Sequence, residues 1–179
     1  TNLHGTGGII IVPMLRELGF EVITVPEQDG GDGRFPTVES PNPENAAALA
    51  KGIELAEEVG ADAVIATDPD CDRMGVAVRN GEGEMELLTG NQIGSLLGWY
   101  RIKSMFELGW LTESNRSRAV LIKTLVTTEL QRVVAEKYGI SVVDTLTGFK
   151  FIGQKLKKYE DAIPVNKKGD YRSLTEEQS

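Results

Sequence analysis

The sequence is poor in the residues that most often carry chemistry. A single cysteine, Cys71, stands among 179 residues. That excludes an internal disulfide framework and fits a reducing, cytoplasmic setting. One histidine, His4, argues against a His-based zinc centre or a Ser-His-Asp triad. No apolar run approaches the roughly 20 residues that span a bilayer, and no basic-then-apolar leader pattern is present. Positive charge is in deficit: 19 Lys+Arg stand against 27 Asp+Glu, a formal net charge of −8. The balance argues against nucleic acid or an anionic membrane as the main partner. There is no Gly-Lys-Ser/Thr phosphate loop. The early glycines also fail the dinucleotide pattern, since Ile10 stands where its last glycine would.

What is present is ordinary soluble-protein material, 40% hydrophobic and 26% charged, long enough for one large domain or two small ones. Twenty glycines predict several tight turns or close approaches. The chain opens on Leu3-His4-Gly5-Thr6-Gly7-Gly8, a glycine turn of the kind that follows a strand. The start of that strand is expected to lie before Thr1. A helix pattern through Ile9, Ile10, Met14 and Leu18 stops at Gly19. Phe20–Val25 reads as a strand, residues 30–43 as a long loop, and about Glu44 to Val59 as a helix closed by Gly60. Ala63–Thr67 is a short apolar run of buried-strand type, and Met74–Arg79 a second strand before the turn Asn80-Gly81-Glu82-Gly83. A second unit is expected from Thr89. It reads as a helix from Gln92 to Leu108, a strand at Ala119–Lys123 and a helix from Thr127 to Tyr138. A strand at Ile140–Thr145 and a helix from Gly148 to Tyr159 complete it. Lys167 to Ser179 is polar and reads as a loop, as in a fragment of a longer protein.

The strongest chemical signal is Thr67-Asp68-Pro69-Asp70-Cys71-Asp72-Arg73. It follows an apolar strand, where α/β sheets place ligand sites. In an extended segment, three carboxylates at alternate positions fall on one side. At about 5 Å and an effective dielectric near 20, each pair repels by roughly 3 kcal/mol. Arg73 relieves one such pair and not three. A divalent cation relieves the rest, and hard oxygen ligands suit Mg²⁺. The alternative is an acidic turn whose side chains splay into water; Pro69 and the flanking apolar strands weigh against it. An EF-hand fails on position, with Arg73 at its sixth residue and Arg79 at its twelfth. Cys71 reads as a small packed residue rather than a soft metal ligand.

At these residues the sequence resembles the α-D-phosphohexomutases, the phosphoglucomutase/phosphomannomutase superfamily. The features that carry the resemblance are Leu3-His4-Gly5-Thr6-Gly7, Phe35-Pro36-Thr37-Val38 and Pro41-Asn42-Pro43-Glu44. Asp68-Pro69-Asp70-Cys71-Asp72-Arg73, Gly90-Asn91-Gln92 and Thr147-Gly148-Phe149-Lys150 follow in the same order. The last of these is most similar to the phosphoglucomutase branch, with its relatives that act on pentose phosphates. The resemblance implies an α/β fold: two consecutive three-layer α/β/α domains with mixed sheets, residues 1–88 as the second domain and 89–179 as an incomplete third.

It further implies an isomerase that interconverts 1-phospho and 6-phospho sugars through a phosphoserine and a sugar bisphosphate, with glucose phosphates as the expected substrate. Asp68, Asp70 and Asp72 match the Mg²⁺ ligands, and Arg73 the arginine that approaches the transferring phosphate. Its planar fork suits that role. Lys123 matches a lysine that reaches the active cleft and is a candidate catalytic residue, with a surface lysine at a strand end as the alternative. Thr147, Gly148 and Lys150 match substrate contacts, Lys150 also a candidate acid/base group, with a solvated helix start as the alternative. His4 reads as a hydrogen-bonding structural residue. The family's nucleophile loop occurs nowhere in these residues, so turnover is expected to need the remaining domains of the same chain. Mannose or pentose phosphate remains open as substrate, as does a non-catalytic metal or sugar-phosphate binding module.

Overall fold

The computed structural model describes residues 1–163 of the chain; the polar loop expected at residues 167–179 lies outside them. The chain divides into two compact units after Ile93.

In the first unit, helix α1 (Gly7–Glu17) is closed by a left-handed Gly19. The amide of Phe20 donates to the Leu15 carbonyl and that of Gly19 to Arg16, a Schellman stop that the sequence signals with its glycine. Helix α2 (Ala46–Val59) buries Ala48, Leu49, Gly52 and Ala56 along one stripe. It packs on a three-stranded antiparallel sheet of β1 (Ala63–Thr67), β2 (Met74–Arg79) and β3 (Met85–Leu88), in the order β1-β2-β3. Leu3, Leu49, Val64, Ala66 and Ala77 join in its core. Arg79 ties the layers together, donating to the carbonyls of Ala56 and Ala61 at the end of α2 and pairing with Glu57.

Two readings change here. Phe20–Val25 forms no ladder, although its β-branched content is right for one: among the described residues no strand lies beside it. β3 was not expected, because Met85–Leu88 carries Glu86 and follows directly on an acidic turn.

The second unit holds the rest of helix α3 (Gly90–Glu107), then β4 (Val120–Thr124), α4 (Leu130–Lys137), β5 (Ser141–Thr145) and α5 (Phe149–Ala162). β4 and β5 pair in parallel, Val120 opposite Ser141 through Thr124 opposite Thr145. That requires the crossover α4 supplies. Ile102, Leu111, Ala135 and Ile140 form its core, with Phe106 and Tyr138 rings 5.7 Å apart beside it. The chain is thus α/β throughout.

Candidate functional site

Residues 68–73 close a hairpin. The last β1–β2 pair is Thr67 opposite Met74, so the six-residue loop hangs beyond the carboxyl end of β1, as its place after an apolar strand predicts. Its conformation is not extended. Cys71 sits at φ +61, a left-handed conformation unusual for a side-chain-bearing residue. That turn, rather than strand alternation, brings the carboxylates of Asp68, Asp70 and Asp72 together, each with an oxygen within 4.8 Å of the others.

Their environments differ. Asp68 is 1% exposed, whereas Asp70 and Asp72 are open to solvent. Asp68 accepts from the Arg73 backbone amide at 2.9 Å and from Arg73 Nε at 2.8 Å. Burial opposes its charge, but these donors, with a bond to Asp72, outweigh it and hold its carboxyl below the usual aspartate range. Asp72 moves the other way. Its hydrogen bond to Asp68, its lost hydration and the charges of Asp70 and Asp68 push its carboxyl up, against a weaker pull from Arg73. Arg73 Nε lies 3.6 Å from Asp72. One cation therefore stands among three carboxylates and is spent mainly on the buried one. A set of hard, crowded, under-neutralised oxygens fits a small divalent cation.

The glycine turn at the start of the chain turns out to seat this loop. Thr6 donates to the Pro69 carbonyl from its amide at 2.9 Å and its hydroxyl at 3.1 Å. A Cβ on Gly5 would lie 2.2 Å from Pro69 Cα, so the two backbones meet where only glycine fits. Leu3 and His4 both adopt positive φ, 43° and 61°. His4 is buried and bonds Thr37 through Nε2 at 2.8 Å, and Gln28 links Thr37 to Thr1. His4 is thus a structural hydrogen-bonding residue here.

In the second unit, Lys123 is not a surface lysine. Its side chain is 1% exposed. Nζ donates to Glu129 at 2.7 Å and to the Thr127 carbonyl at 3.1 Å, and lies 3.0 Å from Asp144. Arg132 completes the cluster by bridging the same two carboxylates. The Glu129 hydrogen bond leads the effects that raise the Lys123 pKa, burial opposing it. The cluster joins the end of β4, the start of α4 and the end of β5. Neither the cluster nor the seat under Pro69 is signalled by any local motif, because their members come from separate elements.

Thr147 and Gly148 lie on the exposed turn from β5 into α5, and Lys150, exposed as well, in the first turn of α5. Gly148 has φ +123, which only glycine tolerates. Lys150 Nζ sits 4.9 Å from the Phe151 ring centroid, and Phe149 is 78% exposed. Asp68, Asp70, Asp72 and Arg73 thus converge within the first unit, and Lys123, Thr147, Gly148 and Lys150 belong to the second.

Residues 1–82 match the family model for phosphoglucomutase/phosphomannomutase alpha/beta/alpha domain II, and residues 89–165 the model for its domain III. Phosphoglucomutases of Staphylococcus aureus strains MRSA252 and USA300 are each 38% identical over 162 residues, 90% of this chain. The chain spans 28% of the length of each of these relatives. A phosphoglucomutase/phosphomannomutase family protein of Burkholderia thailandensis is similar in fold, with a TM-score of 0.69 at 20% identity. That likeness covers 88% of this chain and 30% of the other. Among the described residues no helix is long and apolar enough to cross a membrane.

Proposed function

The chain belongs to the phosphoglucomutase/phosphomannomutase family, and on that footing we propose that the protein it comes from is a Mg²⁺-dependent phosphosugar mutase. Its reaction is the interconversion of glucose 1-phosphate and glucose 6-phosphate, with a sugar bisphosphate as intermediate and activator. The observation that carries this reading is the convergence of Asp68, Asp70 and Asp72 within 4.8 Å around a single, already committed guanidinium. These carboxylates would hold Mg²⁺, which supplies charge neutralisation to a phosphoryl group in transfer. Asp68, buried and ionised by Arg73, is the fixed ligand; Asp70 and Asp72 are the exposed ones. Arg73 binds Asp68 through its backbone amide and Nε, and its Nη groups make no hydrogen bond among the described residues, which leaves its outer edge available to a phosphate.

In the second unit Thr147, Gly148 and Lys150 contribute substrate contacts, exposed amides and a cation at the start of α5 favouring an anion. Lys123 serves there by holding the end of β5 through Asp144, from which that turn departs. The similarity to phosphoglucomutases supports glucose over mannose or pentose phosphate. The 179-residue chain by itself, without a nucleophile loop, is expected to bind metal and not to turn over. The test is glucose phosphate interconversion by the whole protein with Mg²⁺ and bisphosphate. Activity is expected to fall more than about a hundredfold in Asp70→Ala, as when one transition-state charge contact is removed. Full activity in that variant would overturn the metal role. Mg²⁺ binding without turnover in the whole protein would favour a non-catalytic module.

A further inference from the structure

Asp144 stands one residue before the end of β5, and the turn that carries Thr147 and Gly148 leads from there to Lys150 in α5. Lys123 does not aim its carboxylate. An ammonium has three N–H groups. Those of Lys123 meet Glu129 at 2.7 Å, the Thr127 carbonyl at 3.1 Å and, more weakly, the Thr124 carbonyl at 3.5 Å. Asp144 Oδ1 lies 3.0 Å from Lys123 Nζ as an ion pair, yet it is buried and takes no hydrogen bond. The directional bond comes from Arg132, whose Nη2 donates to Asp144 Oδ2. Charge alone is indifferent to orientation, whereas a hydrogen bond to a charged group fixes angle as well as distance.

Arg132 is itself held. It lies in the first turn of α4, and its Nε donates at 2.7 Å to Glu129, the residue that precedes that helix. A planar guanidinium can face two carboxylates at once with a fixed angle between them, which an ammonium cannot. Arg132 therefore ties the head of α4 to the end of β5. Past Asp144 the chain is fastened for one more residue. Thr145 is buried, its hydroxyl donates to the Lys123 carbonyl at 3.3 Å, and its own carbonyl accepts from the Leu125 amide at 2.9 Å. The amides of Leu146, Thr147 and Gly148 make no backbone bond to another element among the described residues. This turn accordingly takes its direction from the end of β5.

We infer that Arg132 is a positioning residue for the mutase reaction, acting through Asp144 on the turn that presents Thr147, Gly148 and Lys150. The inference rests on the mutase reading above, in which that turn contacts the phosphosugar. Lys123 supplies this end of β5 with charge, and Arg132 supplies it with direction.

The test uses the whole protein from which the chain comes, assayed for glucose phosphate interconversion with Mg²⁺ and bisphosphate. The parent is compared with Arg132→Met, Asp144→Ala and the double variant. Arg132→Met is expected to raise KM about tenfold, as a misplaced contact does, and to leave kcat within about twofold of the parent. A purely structural loss would do the reverse, lowering kcat through fewer folded molecules at an unchanged KM. Because Arg132 acts through Asp144, the double variant is expected to raise KM no further than the larger single effect. Arg132→Lys keeps the charge and loses the fork. It serves as the second probe where Arg132→Met does not fold, with a smaller rise in KM expected. A parent-like KM in the folded single variants, a kcat loss at unchanged KM, or multiplying effects in the double variant would each overturn the inference. A parent without turnover would overturn the mutase reading instead, and this inference with it.

Discussion

The two units each hold a knot of charge, and the knots are built on opposite terms. At the aspartate loop three carboxylates share one guanidinium, and two of the three face solvent. At the Lys123 cluster two cations meet two carboxylates around a lysine that is 1% exposed. The first is held in place by backbone: a left-handed Cys71, a paired strand on either side and a glycine turn beneath Pro69. The second is held by the pairing itself. A balanced set of charges around a buried lysine fastens elements together, whereas an unbalanced and rigidly seated one is left needing a counter-charge from outside.

The sharpest way to break this contrast is to unbalance the balanced cluster. Lys123→Met removes the buried one of the two cations that Glu129 and Asp144 share and is expected to lower the melting midpoint by roughly 10 °C, read by circular dichroism. Lys123→Arg should recover part of that loss. A variant that melts like the parent would remove the scaffold role. Next in size is the seat of the aspartate loop. Gly5→Ala forces a Cβ into Pro69 and is expected to cost about 1–3 kcal/mol in chemical denaturation, as overpacking does, and to weaken Mg²⁺ binding at the same time. Loss of stability with metal binding unchanged would separate the turn from the site.

A smaller effect, of opposite sign, is expected at the aspartate loop itself. Asp72→Asn keeps a donor for the hydrogen bond to Asp68 that chiefly raises this carboxyl's pKa, and removes the charge that its lost hydration, Asp70 and Asp68 also disfavour, so the metal-free chain should melt no lower than the parent. The rise in melting midpoint on adding Mg²⁺ should disappear. The least effect is expected from pH. Hydrogen bonds from Lys123 and Arg132 lower the Glu129 pKa, so its contribution is present at neutral pH and is lost as pH falls through and below the ordinary glutamate range. Lys123, raised chiefly by Glu129, contributes fully at neutral pH and loses its share only as pH rises past the ordinary lysine range. A stability profile of the second unit that is flat at both extremes would contradict the cluster.

How much of this was legible in the sequence follows the same division. The aspartate loop could be read because its ligands lie within six consecutive residues, between two apolar runs that fold as the strands they look like, Ala63–Thr67 and Met74–Arg79. Helix ends at Gly19, Gly60 and Gly139 were equally local, since a left-handed glycine announces itself. The positive φ at Cys71 could not be read, because nothing in a cysteine asks for it. Lys123 was visible as a strand-end lysine, but its partners Glu129, Arg132 and Asp144 arrive only when β4, α4 and β5 assemble. Phe20–Val25 shows the limit from the other side. Its composition specifies a strand, yet a ladder needs a neighbour, and strand identity belongs to the pair.

The central claim is that the under-neutralised carboxylates are a Mg²⁺ site. Calorimetric titration of the 179-residue chain with Mg²⁺ tests it most directly. Saturable binding of one ion per chain is expected, abolished in Asp70→Ala while that variant keeps the parent's circular dichroism. Binding that survives unchanged in Asp70→Ala, or no saturable binding by the folded parent, would contradict it.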